Sequence, residues 1–161
     1  MLMTEVTAAT DTRGLETVLL AVGSRDDARV DTLVDAVTEV TVPTDATVII
    51  AHVFDPDSYR EAVEQLLETP DENIDPDELA AQMSVTQEII DELEAESVTT
   101  VPRATTGTSG EGIVSIARDV SADRVIVGGR QRSPAGKAIF GSTAQEVMLN
   151  APCPVTFVRD R

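Results

Sequence analysis

Apolar residues follow two different patterns along this chain, and the two patterns alternate. Apolar runs, typical of strands buried on both faces of a parallel sheet, lie at residues 17–22, 48–54, 124–127 and 155–158. Residues 98–105 are predicted as a further strand, the third in chain order, although their pattern is weaker. Between these runs, apolar residues recur every three or four positions, as in amphipathic helices. This spacing predicts helices over residues 30–37, 59–67, 79–93, 113–120 and 141–150. Residues 69–78 and 107–112 are predicted as turns, because they are rich in Pro and Asp or in Gly.

The alternation of strands and helices predicts an α/β domain built on an open parallel sheet with helices on both faces. Ligands of such sheets bind beyond the carboxyl ends of the strands, where the strand order reverses. Candidate site residues therefore directly follow the strands: Gly23 and Ser24, residues 53–55, and Gly128 onward. Residues 1–15 are interpreted as a flexible lead-in, since they lack the basic start and apolar run of a secretion signal.

The charge balance limits the partners that we expect. Twelve basic and 29 acidic residues give a net charge of −17. A surface this acidic disfavours DNA, RNA and anionic membranes, and no run approaches the roughly 20 apolar residues of a membrane span. The acid is spread along the chain and eleven of the twelve basic residues are Arg, a composition that resembles proteins of salt-loving archaea. We therefore expect a halophilic, cytoplasmic protein.

One segment departs from this acidic background. From Arg124 to Gln145 there are 22 residues without Asp or Glu, and they carry four basic residues and four glycines. The segment runs from the end of a strand to the start of a helix, where backbone N–H groups and the helix dipole favour an anion. The segment therefore predicts an anion site, and Ser142 and Thr143 offer hydroxyl donors.

Structural explanations of the same segment stay open beside this one. Glycines at a strand end also serve turns, Ser142 also suits a helix cap, and Arg130 and Arg132 also suit pairing with surface carboxylates. Two familiar phosphate loops are excluded. The P-loop spacing fails around Lys137, and the first strand-to-helix turn has one glycine where a dinucleotide fingerprint has three.

At these residues the sequence resembles the universal stress protein family. Nucleotide-binding members carry Gly, two residues, Gly, nine residues, Gly and then Ser or Thr. Gly128 matches the first glycine, and Gly141 with Ser142 matches the last pair at the same spacing. The resemblance covers residues 16–159. It implies one domain over residues 16–161, with a Rossmann-like, doubly wound, five-stranded parallel sheet of the adenine nucleotide alpha hydrolase type and strand order 3-2-1-4-5.

The resemblance also implies the ligand and its contacts. ATP-binding members hold the phosphates with backbone groups of the loop, and they contact adenine or ribose after the first two strands. The ligand would be ATP or AMP, with magnesium. The implied nucleotide-binding residues are Gly23, Ser24, Val53, Val127, Gly128, Arg130, Arg132, Gly141, Ser142 and Thr143.

Two positions depart from the ATP-binding pattern. Gln131 stands where the second glycine belongs, and Gly23 stands where ATP binders usually have Asp. The glutamine adds a side chain where the phosphate would pass, and its amide could block the loop or donate to the phosphate. The missing carboxylate removes one acceptor for the nucleotide. Both changes would weaken binding without abolishing it.

Other chemically distinctive residues have structural interpretations. His52, the one histidine, is expected to pack or hydrogen-bond near the sheet rather than act as a base. Cys153 is expected to be a small buried hydrophobic residue. Asp26 and Asp27 are expected to complement a helix dipole. We predict no catalytic residue and no metal site, and residues 71–78 are interpreted as solvated surface.

Three functions follow in order of expectation. The first is a small stress-response domain that binds ATP or AMP through the loop from Val127 to Thr143. The second is a non-nucleotide-binding dimeric interaction module of the same family, and the third is an enzyme, at most a slow ATPase. The resemblance implies a homodimer, formed through the last strand between Val155 and Val158.

Overall fold

Five parallel strands form a single sheet in the order β3-β2-β1-β4-β5. The computed structural model describes residues 14–23, 25–69, 73–129 and 140–159. The strands are β1 (Thr17–Ala21), β2 (Thr47–Phe54), β3 (Thr100–Thr106), β4 (Arg124–Gly129) and β5 (Val155–Arg159). All five predicted strands are present, and the predicted fold with strand order 3-2-1-4-5 is confirmed.

Helices connect each strand to the next. They are α1 (Val30–Thr41), α2 (Pro56–Leu66), α3 (Pro76–Ala81), α4 (Ser84–Ala95), α5 (Ser109–Asp119) and α6 (Ser142–Asn150), and a 3₁₀ turn (Asp26–Arg29) precedes α1. Proline at the first turn and an aspartate cap start both α2 and α3, because Asp55 accepts from the Ser58 N–H and Asp75 from the Asp77 N–H. No described helix has the length and apolar character needed to cross a membrane.

The sheet separates two apolar layers. Alternate strand residues point to opposite faces: Leu20 and Ile50 face the layer covered by α1 and α4, whereas Leu19 and Ile49 face the layer covered by α5 and α6. Both layers consist mainly of Val, Ile, Leu and Ala, as the low aromatic content of the sequence requires. The continuous apolar runs thus arise because each central strand is buried on both faces.

The predicted single helix over residues 79–93 is wrong. The chain forms α3 and α4 instead, separated by Gln82 and Met83, whose N–H groups bond to carbonyls three residues back. Leu79 packs with Phe54 in a third small cluster, whereas Leu93 packs in the layer under α1. Two short helices reach two separate clusters, which one straight helix would not do.

The predicted turn over residues 107–112 is also wrong beyond its first two residues, because α5 starts at Ser109. Gly110 and Gly112 lie inside the helix, where they allow close packing. A methyl group built on Gly110 would lie 2.5 Å from Glu146 Cγ, and one on Gly112 would lie 2.6 Å from Val53 Cγ2. Similarly, β4 continues through Gly128 and Gly129 rather than ending before them.

The outer edge of β3 is covered by a helix. Asp77 of α3 accepts a hydrogen bond from the Ala104 N–H at 2.6 Å, and its other oxygen lies 3.5 Å from Arg103 Nε. A carboxylate thus bonds to a strand N–H that has no partner strand on that side. The strand β5 forms the other edge of the sheet.

The predicted lead-in over residues 1–15 falls almost wholly on residues 1–13, which lie outside the described part of the chain. Leu15 packs against the layer under α1.

Candidate functional site

A cavity of about 720 Å³ opens at the carboxyl ends of the strands. It lies where the sheet order reverses, with residues that follow β1 and β2 on one side and residues of β4 and α6 on the other. This is the position at which open parallel sheets bind ligands. Its size falls within the roughly 300–1,000 Å³ of small-molecule sites.

Seven of the ten sequence-predicted site residues line this one cavity: Gly23, Val53, Val127, Gly128, Gly141, Ser142 and Thr143. The remaining three, Ser24, Arg130 and Arg132, lie outside the described residues, as do Gln131 and Lys137. Residues more than 100 positions apart in the chain therefore line one cavity, where the strand-end argument places them.

The N-terminus of α6 faces the cavity. Gly141 occupies the N-cap position with extended backbone angles, φ −64° and ψ 162°, and its carbonyl accepts the first helical hydrogen bond from the Gln145 N–H at 3.0 Å. The N–H groups of Ser142 and Thr143 precede that bond, so the helix itself gives them no partner. The interpretation of Ser142 as the cap is wrong, because Ser142 is the first helical residue.

Glycine occupies positions 128, 129 and 141 around the cavity for different structural reasons. A methyl group on Gly128 would lie 3.1 Å from both Arg29 Cδ and Leu33 Cδ2, and one on Gly129 would lie 2.9 Å from the Phe157 ring. Glycine at these two positions therefore allows Arg29, Leu33 and the Phe157 ring to approach the strand closely. Gly141 differs, because a methyl group there would meet no described residue within 4 Å and its φ is ordinary. Within the part of the chain that the structure describes, packing does not require glycine at 141, and the missing side chain leaves open space in the cavity.

The cavity wall contains an ion pair between Asp26 and Arg29 that the sequence analysis did not predict. Asp26 Oδ1 lies 3.3 Å from Arg29 Nε, and the two side chains are only 12% and 13% exposed. Asp26 Oδ2 accepts from the Gly23 N–H at 2.7 Å, and the Asp26 N–H donates to the Gly23 carbonyl at 3.1 Å. Asp26 thus closes the turn after β1 in addition to lying in the first turn of a helix.

His52 packs and hydrogen-bonds within the sheet, as predicted. Its Nδ1 lies 2.7 Å from the Val22 carbonyl oxygen, and its ring meets Phe54 edge to face at 4.4 Å between centroids. A carbonyl only accepts, so Nδ1 carries the proton. Burial lowers the pKa of His52 below 6.5, although the Val22 hydrogen bond, Asp26 and Asp55 oppose the shift. The imidazole is therefore neutral at neutral pH.

The cavity wall carries charged side chains from the segments that follow β1 and β2. Asp55, the cap of α2, and Glu61 line it after β2, and Arg25 and Arg29 line it after β1. The hydrogen bond from the Ser58 N–H lowers the pKa of Asp55 below its usual 3.8, so Asp55 is charged at neutral pH. The cavity thus has carboxylates after β2 and guanidinium groups after β1, in addition to the N–H groups at the start of α6.

Comparison with known proteins accounts for this arrangement. The sequence model of the universal stress protein family matches residues 14–159. This chain belongs to that family. The "universal stress protein in QAH/OAS sulfhydrylase 3′ region" of Thermus aquaticus is 37% identical over 70 residues, which are 41% of this chain. The matched segment spans about half, 51%, of that relative.

Solved universal stress proteins share the fold. A universal stress protein in complex with cAMP has a TM-score of 0.64 at 20% identity, over 92% of this chain and 100% of its own. A universal stress family protein of Arabidopsis thaliana with AMP bound has a TM-score of 0.61 at 16% identity, over 91% and 92%. At such identities the likeness shows the fold alone.

Within this universal stress protein, the sequence analysis missed Asp26 and Arg29 as part of the cavity wall. Asp26 and Arg29 are three positions apart directly after β1, a spacing that brings oppositely charged side chains together on a helical turn. That spacing, combined with the strand-end rule, was the available signal. For Asp55, the strand-end rule pointed to residues 53–55, but the resemblance implied only Val53.

Cys153 and metal chemistry give no second site. Cys153 is only partly buried, whereas the sequence predicted a buried residue. Burial raises the pKa of its thiol above the ordinary 9.0, so the thiol is protonated at neutral pH. Among residues 14–23, 25–69, 73–129 and 140–159, no group of three His, Cys, Asp or Glu side chains is arranged to hold a metal ion.

Proposed function

We propose that this universal stress protein binds an adenine nucleotide, AMP or ATP, in the cavity at the carboxyl end of its sheet. The observation that carries the proposal is the meeting of the α6 N-terminus, Gly141 to Thr143, with the Val127–Gly128 end of β4 in one cavity. Two separate pieces of the family's glycine motif lie together there, on the side of the cavity where the N–H groups at the start of α6 stabilise a phosphate most.

The phosphates lie at the α6 end. The N–H groups of Ser142 and Thr143 have no helical partner and carry the partial positive charge of a helix start. Gly141 leaves room beside them, because its missing side chain faces open space. Arg130 and Arg132 belong in sequence to the acid-free loop before α6, and their positive charges would favour a phosphate ligand. Gln131 replaces a glycine of the family motif, and its amide would either donate to the phosphates or obstruct them.

The nucleoside lies at the β1–β2 end. Gly23 and Ser24 follow β1, Val53 lies near the end of β2, and Gly23 and Val53 line the cavity. Gly23 lacks the carboxylate that ATP-binding members usually have, but the Asp26 carboxylate lies beside it. The complexes of related proteins with cAMP and AMP support an adenine nucleotide as the ligand class.

Magnesium would enter with a triphosphate. Mg²⁺ usually keeps several waters and takes oxygen ligands from phosphates together with one or two carboxylates. A complete protein cage is therefore unnecessary, and Asp26, Asp55 and Glu61 are the carboxylates of the described cavity wall. AMP binding would need no metal, which makes AMP the simpler ligand to test.

The second candidate function is a dimeric interaction module that binds no nucleotide. The departures at Gly23 and Gln131 favour it. The pairing surface would be the free edge of β5 between Val155 and Val158, which ends the sheet. A homodimer is compatible with either function. Hydrolysis of ATP, at most slow, ranks last.

The setting of this function is a domain over residues 16–161 in a cytoplasm of high salt. The net charge of −17 and the near absence of Lys support a halophilic setting. The same composition disfavours nucleic acid as a partner. These assignments affect the choice of buffer, because surface charge attraction is screened within about 3 Å in molar salt.

The proposal is tested by calorimetric titration with AMP, and with ATP plus magnesium, in about 1 M potassium chloride. We expect saturable binding that is lost in Gly141→Leu, because the new side chain fills the space beside the α6 N-terminus. Gly14→Leu is the matched control, since a side chain on Gly14 also meets nothing within 4 Å. Absence of binding by the wild-type protein at millimolar nucleotide would favour the interaction module.

A further inference from the structure

The Arg29 side chain is held in the cavity wall rather than in solvent. It starts from the 3₁₀ turn after β1, lines the cavity and is 13% exposed. Arginine side chains are rarely buried to this degree without a specific partner. Burial of a guanidinium beside a ligand cavity therefore calls for a chemical reason.

Asp26 holds Arg29 in place by an ion pair. Asp26 Oδ1 lies 3.3 Å from Arg29 Nε, and Asp26 Oδ2 accepts from the Gly23 N–H at 2.7 Å. The Nε contact is a charge attraction without a hydrogen bond. A guanidinium carries five N–H donors in a planar fork, and the ion pair keeps this fork in the cavity wall.

Arg29 reaches across to β4. Its Cδ and Nη1 lie 3.1 and 3.4 Å from the position of a methyl group built on Gly128. Any side chain at 128 would displace the arginine, so Gly128 leaves room for Arg29 as well as for a ligand. The guanidinium thus spans the gap between the turn after β1, at the nucleoside end, and the first glycine of the motif, at the phosphate end.

The position of Arg29 between the two ends of the cavity determines which part of the ligand it contacts. In a nucleotide, the group between the nucleoside and the outer phosphates is the α-phosphate. Arginine binds phosphate with paired, charge-assisted hydrogen bonds, which are stronger than neutral ones. From this geometry, and resting on the proposed function, we infer that Arg29 recognises the α-phosphate of the nucleotide and that Asp26 is its positioning residue.

The inference has a direct consequence for ligand preference. AMP carries the phosphate that Arg29 recognises, whereas adenosine fills the nucleoside end only. Hydrogen bonds to charged groups correspond to about a tenfold to hundredfold change in affinity. We therefore expect wild-type protein to prefer AMP over adenosine by at least that factor, and Arg29→Gln to lose most of this preference.

The experiment measures AMP and adenosine affinities by calorimetry for the wild type, Arg29→Gln, Arg29→Lys, Asp26→Asn and Arg60→Gln. Arg29→Gln should weaken AMP about tenfold to a hundredfold and leave adenosine nearly unchanged. Arg29→Lys should retain part of the preference, since it keeps the charge without the fork. Asp26→Asn should weaken AMP in the same direction. Arg60→Gln is the matched control, because Arg60 is an exposed arginine in an ion pair three residues from its aspartate, on α2.

The ratio of the two affinities within one variant distinguishes recognition from folding, because partial unfolding lowers both affinities together. An unchanged ratio in both Arg29 variants would overturn the inference and leave the proposed function standing. Failure of the wild-type protein to bind AMP and ATP would overturn the proposed function, and this inference with it.

Discussion

Thr17 and Asp123 exchange two hydrogen bonds where β1 and β4 begin. The Thr17 N–H donates to Asp123 Oδ2 at 3.0 Å, and the Asp123 N–H donates to the Thr17 carbonyl at 2.8 Å. The same carboxylate oxygen also accepts from the Glu16 N–H at 3.0 Å. One side chain thus bonds to two N–H groups at the start of β1, next to the first β1–β4 pair, Val18 with Arg124.

Replacing Asp123 with Ala should therefore destabilise the protein. Two backbone donors at the base of the sheet lose their acceptor, which costs about 1–3 kcal/mol in the free energy of unfolding. Denaturant unfolding followed by circular dichroism measures the change. Asp119→Ala, at the exposed end of α5, is the control for loss of an acidic residue. Equal stability of the two variants would contradict the role assigned to Asp123.

Gly112→Ala should destabilise the protein even though alanine favours helices over glycine by about 1 kcal/mol. The new methyl group would lie 2.6 Å from Val53 Cγ2 and 3.1 Å from Thr105 Cγ2, so α5 must move away from the sheet. Overpacking of this kind costs about 1–3 kcal/mol. Thermal unfolding compares this variant with Gly112→Ala combined with Val53→Ala. Because Val53→Ala removes the clashing methyl groups, the double variant should lose less stability than the sum of the losses in the two single variants.

Stability should fall as the pH drops below 6.5, through His52. Its pKa in the folded protein is lowered by burial, so the unfolded chain binds a proton at a higher pH than the folded one. The free energy of unfolding is then largest above 6.5 and decreases down to the lowered folded pKa. Asp55 acts in a lower window, below 3.8, where its stabilising contribution is lost. His52→Gln should remove the dependence near 6.5, and an unchanged profile would show that another group causes it.

Glu92→Gln should raise the melting temperature at neutral pH. Burial, and then Asp31, Glu88 and Asp35, raise the pKa of Glu92, so its ionised form is disfavoured in the folded state. When folding raises the pKa of an acidic side chain, the stability that the side chain contributes is greatest at low pH and falls as the pH rises through the folded pKa.

The glutamine keeps the shape and removes the charge at position 92. The gain should be larger at low salt than in molar potassium chloride, where repulsion from neighbouring carboxylates is screened. Glu64→Gln on α2 serves as the control. A larger gain for Glu64→Gln than for Glu92→Gln would contradict the assignment.

The sequence predicted the strands well because their physical cause is local in the chain. Residues 48–54 are mainly apolar because β2 is buried on both faces, and each of these residues is buried in the structure. Glycine positions were predicted less well. Gly112 and Gly129 were interpreted as turn residues, whereas they lie in α5 and β4 because Val53 and Phe157 approach them closely. These partners are far away in sequence, so no local pattern reports the contact.

The candidate site divides in the same way. The strand-end rule and the motif pointed to Gly128 and Gly141, and both line the one cavity at the strand ends, because the topology brings these ends together. The Asp26–Arg29 pair and its contact with Gly128 depend on where a 3₁₀ turn lies against β4. Side-chain direction at that turn is a product of tertiary packing, and the sequence showed only two charges three positions apart.

The carboxylate of Asp77 on the outer edge of β3 has a consequence for how large an assembly of this protein can become. An edge strand whose N–H is already bonded to a side chain is a poor template for another strand. Pairing through β5 of two copies would leave a β3 edge at each outer end of the joined sheet. Addition of strands would then stop at two copies, so in such a dimer Asp77 would oppose open-ended fibre growth.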